Sequence, residues 1–292
     1  MSCWFKTAVR LWRTGSASAD PCQTLEAIIF PIFHIGPVAF YTFGLVFGIS
    51  VCLGWLAFDR YFKLHDLPVN VPVLGFFVVS AGFAGAKLDD ATVSAFLMQH
   101  SNGTFAAQLQ NLTAGYTYLG CALAGSLAGL IYAKVNHIPF LRGFDSLFCM
   151  GLGYGVGRIG CFLAGDGDYG NPSSLPWAMS FPHGVVPTLA RVHPTMLYSS
   201  AWELAVFAVL WRLSNSRRQP ALRPGTLLGL YLIATGSGRF LVEFLSLNPV
   251  LAFGLKEAQL VSAVMMISGA LVLGYVFLAV RTEAPSLCGG TT

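Results

Sequence analysis

Apolar residues run through this chain in blocks of about 20, separated by short polar stretches, without the strict alternation of barrel strands. The blocks predict seven membrane-spanning helices, at roughly 38–58, 71–88, 116–134, 144–164, 194–213, 225–246 and 257–280. Pro31 and Pro37 place the start of the first helix after them. No internal repeat is evident, and no linker is long enough to separate domains. The expected organisation is an N-terminal segment over 1–37, one seven-helix membrane domain over 38–281, and a tail over 282–292. In the first segment, MSCWFKTAVRLWR combines Trp4, Val9, Leu11 and Trp12 with three cations, a pattern suited to a helix lying in the membrane interface. No apolar signal-peptide core follows it.

Composition agrees with a polytopic all-α membrane protein. Of 292 residues, 55% are hydrophobic and 10% charged, against about 25% charged in soluble domains. The excess of Lys and Arg is then a topology signal, with no nucleic-acid partner implied. Loops after spans 1, 3, 5 and 7 hold Arg60, Lys63, Lys134, Arg142, Arg212, Arg217, Arg218, Arg223 and Arg281. Loops after spans 2, 4 and 6 hold Arg191 and Lys256. The positive-inside rule puts the first set in the cytoplasm, the N-terminus outside and the C-terminus inside. The outer face then carries two long segments, 89–115 and 165–192, that cover the membrane domain. The seven cysteines show no metal-ligand spacing, so no metal or cofactor is expected.

Charges inside the spans are costly and point to function. Lys87, Arg158, Arg239 and Glu243 are the cases here. Counted from the inner ends of their spans, Arg158 and Arg239 both lie about 21 Å up, in the outer third of a core about 30 Å thick. Lys87 ends span 2 on that side, His193 precedes span 5 there, and Asp166 and Asp168 follow span 4. Two guanidiniums at one depth suit a phosphate, because the planar fork stays charged and donates in pairs. A phospholipid headgroup is the natural anion. Glu243, four residues after Arg239, can neutralise it along one helix face. Arg158 has no such partner, and Asp166 reaches it only if the chain folds back. Glycines 151, 153, 155, 157 and 160 in span 4, and 225, 229, 236 and 238 in span 6, let the arginine-bearing helices pack closely.

The run GRIGCFLAGDGDYG at 157–170, followed by PWAMSFP at 176–182, resembles the signature of the prolipoprotein diacylglyceryl transferases. IGPVAFYTFGL at 35–45, VHPTMLY at 192–198 and RPGTLLGLYLIATGSGRFLVEF at 223–244 resemble further motifs of that family, in the same order. The resemblance implies a seven-helix enzyme of the bacterial inner membrane with its site facing outward. It also implies transfer of diacylglyceryl from phosphatidylglycerol to the lipobox cysteine in a prolipoprotein signal peptide, giving a thioether and glycerol phosphate. The leaving phosphate needs fixed cations, assigned to Arg158 and Arg239. The thiol must lose its proton, and His193 is the candidate base, with Asp166 or Asp168 to orient it or to bind the glycerol hydroxyls. Substrate contacts fall to Gly157, Gly160, Asp168, Tyr198, Glu243, Lys87 and Phe43.

Several positions depart from the family pattern. Leu119 stands where a proposed basic histidine is expected, Cys161 for an asparagine, Phe43 for a tyrosine, Ser199 for a glutamate and Ser246 for an arginine. Glu203, four residues after Ser199, is placed to compensate. Two other readings are a paralogue that keeps the phospholipid pocket without this reaction, and a small transporter. A transporter requires polar residues through the full depth, whereas the inner halves of these spans are almost purely apolar.

Overall fold

The computed structural model describes residues 31–35, 38–99, 118–215, 222–248, 250–252 and 254–283. The interfacial segment expected before residue 31 lies outside the described residues, as do residues 100–117 of the expected outer cap and the end of the tail.

Seven long helices account for most of the described chain: α1 Thr42–Leu64, α2 Val71–Gln99, α3 Tyr118–Val135, α5 Met150–Ala164, α6 Thr195–Ser214, α7 Thr226–Glu243 and α8 Glu257–Glu283. The short α4, Phe140–Phe144, leads through a 3-10 turn, Asp145–Cys149, directly into α5. Three antiparallel hairpins are found among the described residues, one just before α1 and two between later helices. They are β1 Ile32–Ile35 with β2 Val38–Tyr41, β3 Met179–Phe181 with β4 Thr188–Val192, and β5 Val250–Ala252 with β6 Leu255–Lys256.

Four stretches are long and apolar enough to cross a membrane: Thr42–Leu64, Val71–Leu88, Phe140–Ala164 and Glu257–Leu278. Leu123–Val135 is a shorter apolar helix. The helices α6 and α7 fall below that level of apolarity because they carry polar side chains, and several of those on α6 face inward. Ser199, Ser200 and Glu203 are buried. Lipid-facing surface is clearest on α8, where Val261, Val264, Ile267, Leu271, Tyr275 and Leu278 form one exposed stripe at helical spacing.

Two differences from the sequence reading stand out. Residues 38–41 are a strand, paired Val38 with Ile35 through Tyr41 with Ile32, so the first helix starts at Thr42. The apolar run hides this because Val, Phe and Tyr suit a strand as well as a membrane helix. The second helix continues past residue 88 to Gln99. Its extension, LDDATVSAFLMQ, contains no glycine or proline to stop it, and 29 residues span about 43 Å, more than the lipid core requires.

Contacts divide the chain into Met1–Gly54 with Leu147–Thr292, and Trp55–Ser146. In the first unit α5 packs on α6, α6 on α7, and α7 on α8. The start of α1 lies against α5 so closely that a Cβ on Gly153 would sit 3.1 Å from the Ser50 carbonyl oxygen. This unit's core at the C-terminal end of α5 comprises Cys161, Phe162, Tyr169, Met179, Phe181, Val192 and Met196. In the second unit α2 packs on α3, and the Trp55 ring covers Gly75.

Candidate active site

The site is built where α5 ends. Gly165 takes a left-handed conformation (φ 63°) and its N–H bonds the Cys161 carbonyl at 2.9 Å, closing the helix. Gly167, at φ 100°, turns the chain again. Together they fold residues 166–168 back over the helix end. The Asp166 side chain accepts the Asp168 backbone N–H at 3.3 Å, which fixes the turn. Asp168 thereby reaches down to Arg158, with Nη1 to Oδ2 at 2.5 Å.

Arg158 is enclosed on several sides. Its side chain is 11% exposed, against 53% for Asp168. The guanidinium carbon lies 6.0 Å from the Tyr154 ring centroid, one helical turn below. Nη1 also reaches the Cys161 sulfur at 3.7 Å. Its Nε–H is buried and has no acceptor among the described residues. One edge of the cation is therefore occupied by a carboxylate and another donor is unused.

The returning loop is clamped by α6 and α7. Thr195 Oγ1 donates to the Asp168 carbonyl oxygen. The Gly170 N–H bonds the His193 carbonyl at 2.9 Å, and the Asn171 N–H bonds the Leu245 carbonyl at 2.7 Å. A Cβ at Gly170 would lie 2.8 Å from the Leu245 oxygen and 2.7 Å from His193 Cβ, so only glycine fits. Tyr169 is buried, stacks on Phe181 with centroids 4.4 Å apart, and donates its hydroxyl to the Val186 carbonyl at 2.8 Å. Burial, and then the nearby Asp166 charge, push its hydroxyl up to about 12.

Arg239 on α7 has a different partner. Its Nη2 lies 3.4 Å from Glu243 Oε2, one turn on, with the side chains 34% and 1% exposed. Glu243 Oε1 accepts from Asn248 Nδ2 at 2.7 Å. Oε2 takes no hydrogen bond among the described residues, so the contact with Arg239 is electrostatic and leaves the guanidinium donors for other use. Lys256 Nζ donates to the carbonyls of Glu243 at 2.8 Å and Ser246 at 2.5 Å, a cation at the negative end of α7.

His193 stands just before α6, its Nδ1 3.3 Å from the Tyr198 hydroxyl. That hydroxyl accepts from Trp177 Nε1 at 2.7 Å. Gly157 and Gly160, expected to contact substrate, pack against α1: a Cβ would meet Ser50 Oγ at 3.6 Å and Val46 Cβ at 3.1 Å, respectively. Phe43 borders Gly160 and is 42% exposed. Lys87 lies on α2 in the other unit, as does Leu119 on α3. Glu203 is 3% exposed and accepts from Thr235 Oγ1 at 3.2 Å. One atom from each of Cys161, Asp166 and Asp168 falls within 4.8 Å of the others, close enough to hold a cation. The Arg158 guanidinium contacts two of the three and supplies positive charge there.

Tyr154, Thr195, Trp177 and Lys256 were not singled out as site residues from sequence. Tyr154 had a usable signal, since a position four residues before Arg158 shares its helix face. The others depend on long-range folding of the loop.

The family model for prolipoprotein diacylglyceryl transferase matches residues 31–275. The chain is similar to phosphatidylglycerol–prolipoprotein diacylglyceryl transferases from several bacteria. With that of Symbiobacterium thermophilum it is 30% identical over 262 residues, covering 86% of this chain and 94% of the other. With that of Trichormus variabilis it is 30% identical over 261 residues, covering 86% and 90%. With that of Gloeobacter violaceus it is 36% identical over 182 residues, covering 59% and 65%. A family match over most of the chain, with full-length relatives at this identity, means that the chain belongs to the prolipoprotein diacylglyceryl transferase family.

Proposed function

We propose that this protein transfers the diacylglyceryl group of phosphatidylglycerol to the lipobox cysteine of prolipoproteins. It does so as a seven-span protein of the bacterial inner membrane, N-terminus outside, with the site opening to the outer leaflet. The observation that carries the reading is the state of Arg158. A cation buried in an apolar helix end holds one exposed, replaceable carboxylate and keeps a buried N–H without an acceptor among the described residues. An anion with several oxygens, arriving from the membrane, satisfies both features. Arg239, whose donors are not taken up by Glu243, gives a second point of attachment.

In the reaction the cysteine sulfur attacks the glyceryl carbon that bears the phosphate. The S–C bond forms as the C–O bond breaks, and the electron pair leaves with glycerol phosphate. The thiol proton is lost before attack, since the thiolate is the nucleophile. Charge grows on the departing phosphate, where Arg158 and Arg239 stand fixed in a site of low dielectric. Removing one such pre-organised donor costs about 10²–10³-fold in rate. Asp168, on the turn above, takes a glycerol hydroxyl as acceptor once the phosphate has replaced it on Arg158, while Asp166 holds the turn.

The test is reconstitution of the purified protein with phosphatidylglycerol and a lipobox peptide, read by mass spectrometry. A diacylglyceryl adduct on the peptide cysteine, absent with a Cys→Ser peptide, is expected. Intact peptide at every protein concentration would overturn the reading.

A further inference from the structure

The hydrogen-bond chain beside the site limits what His193 can do. An indole N–H donates and cannot accept, so Trp177 uses one lone pair of the Tyr198 hydroxyl, at 2.7 Å. The hydroxyl has a single proton of its own. Its other partner among the described residues is His193 Nδ1 at 3.3 Å. If Nδ1 carried the histidine proton, the Tyr198 hydroxyl would accept twice and its own proton would have no acceptor among the described residues. With the proton on Nε2, both bonds form with one donor each: Trp177 donates to Tyr198, and Tyr198 donates to Nδ1, which leaves the Nε2–H to a further acceptor. The tyrosine and histidine rings meet edge to face, 6.1 Å apart, so the ring plane is set along with the tautomer. The backbone is fixed too, with the His193 N–H on the Asn171 carbonyl at 3.2 Å and its own carbonyl taking the Gly170 and Thr195 N–H groups, each at 2.9 Å. His193 therefore belongs to the same clamp that holds Asp168 over Arg158.

From this we infer that neutral His193 keeps its proton on Nε2 and acts in transfer as a fixed hydrogen-bond donor to the lipid headgroup, with Tyr198 and Trp177 as its positioning residues. This rests on the transferase reading for its substrate. It replaces the basic role expected from sequence, because the lone pair a base needs is already held by Tyr198. In the reaction the S–C bond forms, the C–O bond breaks, and the pair passes to the phosphate oxygen. His193 shares its Nε2 proton with an oxygen of that phosphate without giving it up, and the thiol proton goes to bulk water. Trp177, 53% exposed, holds the outer end of the chain.

Two measurements test this. The first is ¹⁵N NMR of histidine-labelled protein in nanodiscs, with the His193 signals among the six histidines assigned by their loss in His193→Gln. The expected spectrum shows a protonated Nε2 and an unprotonated Nδ1, with the preference weakened in Tyr198→Phe. A protonated Nδ1 in the wild type would overturn the inference, and this readout stands whether or not transfer is observed.

The second compares side chains at 193. Glutamine places a non-titrating N–H near the Nε2 position, while asparagine places one near Nδ1. His193→Gln is expected to stay within about tenfold of the wild-type rate with the same pH profile, while His193→Ala and His193→Asn fall about 10²-fold. Equal losses in Gln and Ala, or a wild-type rate in Ala, would contradict the donor role. Trp177→Phe is expected to lower kcat by several-fold and to shift the NMR preference in the direction of Tyr198→Phe. An unchanged tautomer there would remove Trp177 from the chain.

Discussion

Arg158 and Arg239 are each paired with a carboxylate, yet the pairs are built on opposite plans. Glu243 is fully buried, sits one helical turn from its arginine, and is tied to Asn248. Asp168 is half exposed, ten residues from its arginine, and reaches it only because two glycines reverse the chain. A buried carboxylate that loses its partner leaves an uncompensated charge, whereas an exposed one returns to water. The Arg239 pair is therefore a fixed part of α7, and the Arg158 pair is exchangeable. Under the proposed function, one arginine gives the site a permanent cation and the other gives it a cation that a phosphate can claim.

The comparison is broken most severely by removing the forks. Arg158→Lys and Arg239→Lys keep the charge and lose the paired donors. Each is expected to lower transfer by about 10²–10³-fold or more while the protein still accumulates in the membrane. A near-wild-type rate in either would end the phosphate-clamp account. Glu243→Gln strikes the fixed pair. It is expected to destabilise the protein by about 1–3 kcal/mol, read as a lower thermal midpoint in detergent. Asp168→Asn strikes the exchangeable pair. Stability should hardly change, and KM for phosphatidylglycerol should move by less than about tenfold, with kcat retained. If Asp168→Asn destabilised as much as Glu243→Gln, the distinction between the pairs would fail.

The smallest effect concerns the loop that carries Asp168. Tyr169 is raised from 10.0 to about 12, so the fold holds its neutral form. Its contribution is complete below pH 10 and is lost as pH rises through about 12. Tyr169→Phe should remove the part of the alkaline fall in thermal stability that lies between those limits. An identical fall in both proteins would show that Tyr169 does not report on the loop.

The long helices were legible because burial in lipid requires unbroken apolar runs, and five of the seven expected spans end within a few residues of a helix end. The hairpins were not, since Val38–Tyr41 suits either state and only strand pairing decides. The importance of 157–170 was readable from an arginine and two carboxylates around an apolar helix end. Which carboxylate meets Arg158 was not. Asp166 is the nearer in sequence, but its side chain is used to fix the turn, and that turn delivers Asp168. Glu243 was placed correctly because i to i+4 spacing is local. Trp177 and Lys256 act across 21 and 13 residues, and no local pattern announces such contacts.

Phosphate is expected to take Arg158 from Asp168. Native mass spectrometry of the protein released from nanodiscs containing phosphatidylglycerol tests it directly, by comparing lipid retention in the wild type, Arg158→Lys and Asp168→Asn. The account predicts that the wild type retains the lipid, that Arg158→Lys loses it, and that Asp168→Asn retains it at least as well as the wild type. Equal retention by all three, or loss in Asp168→Asn, would contradict it.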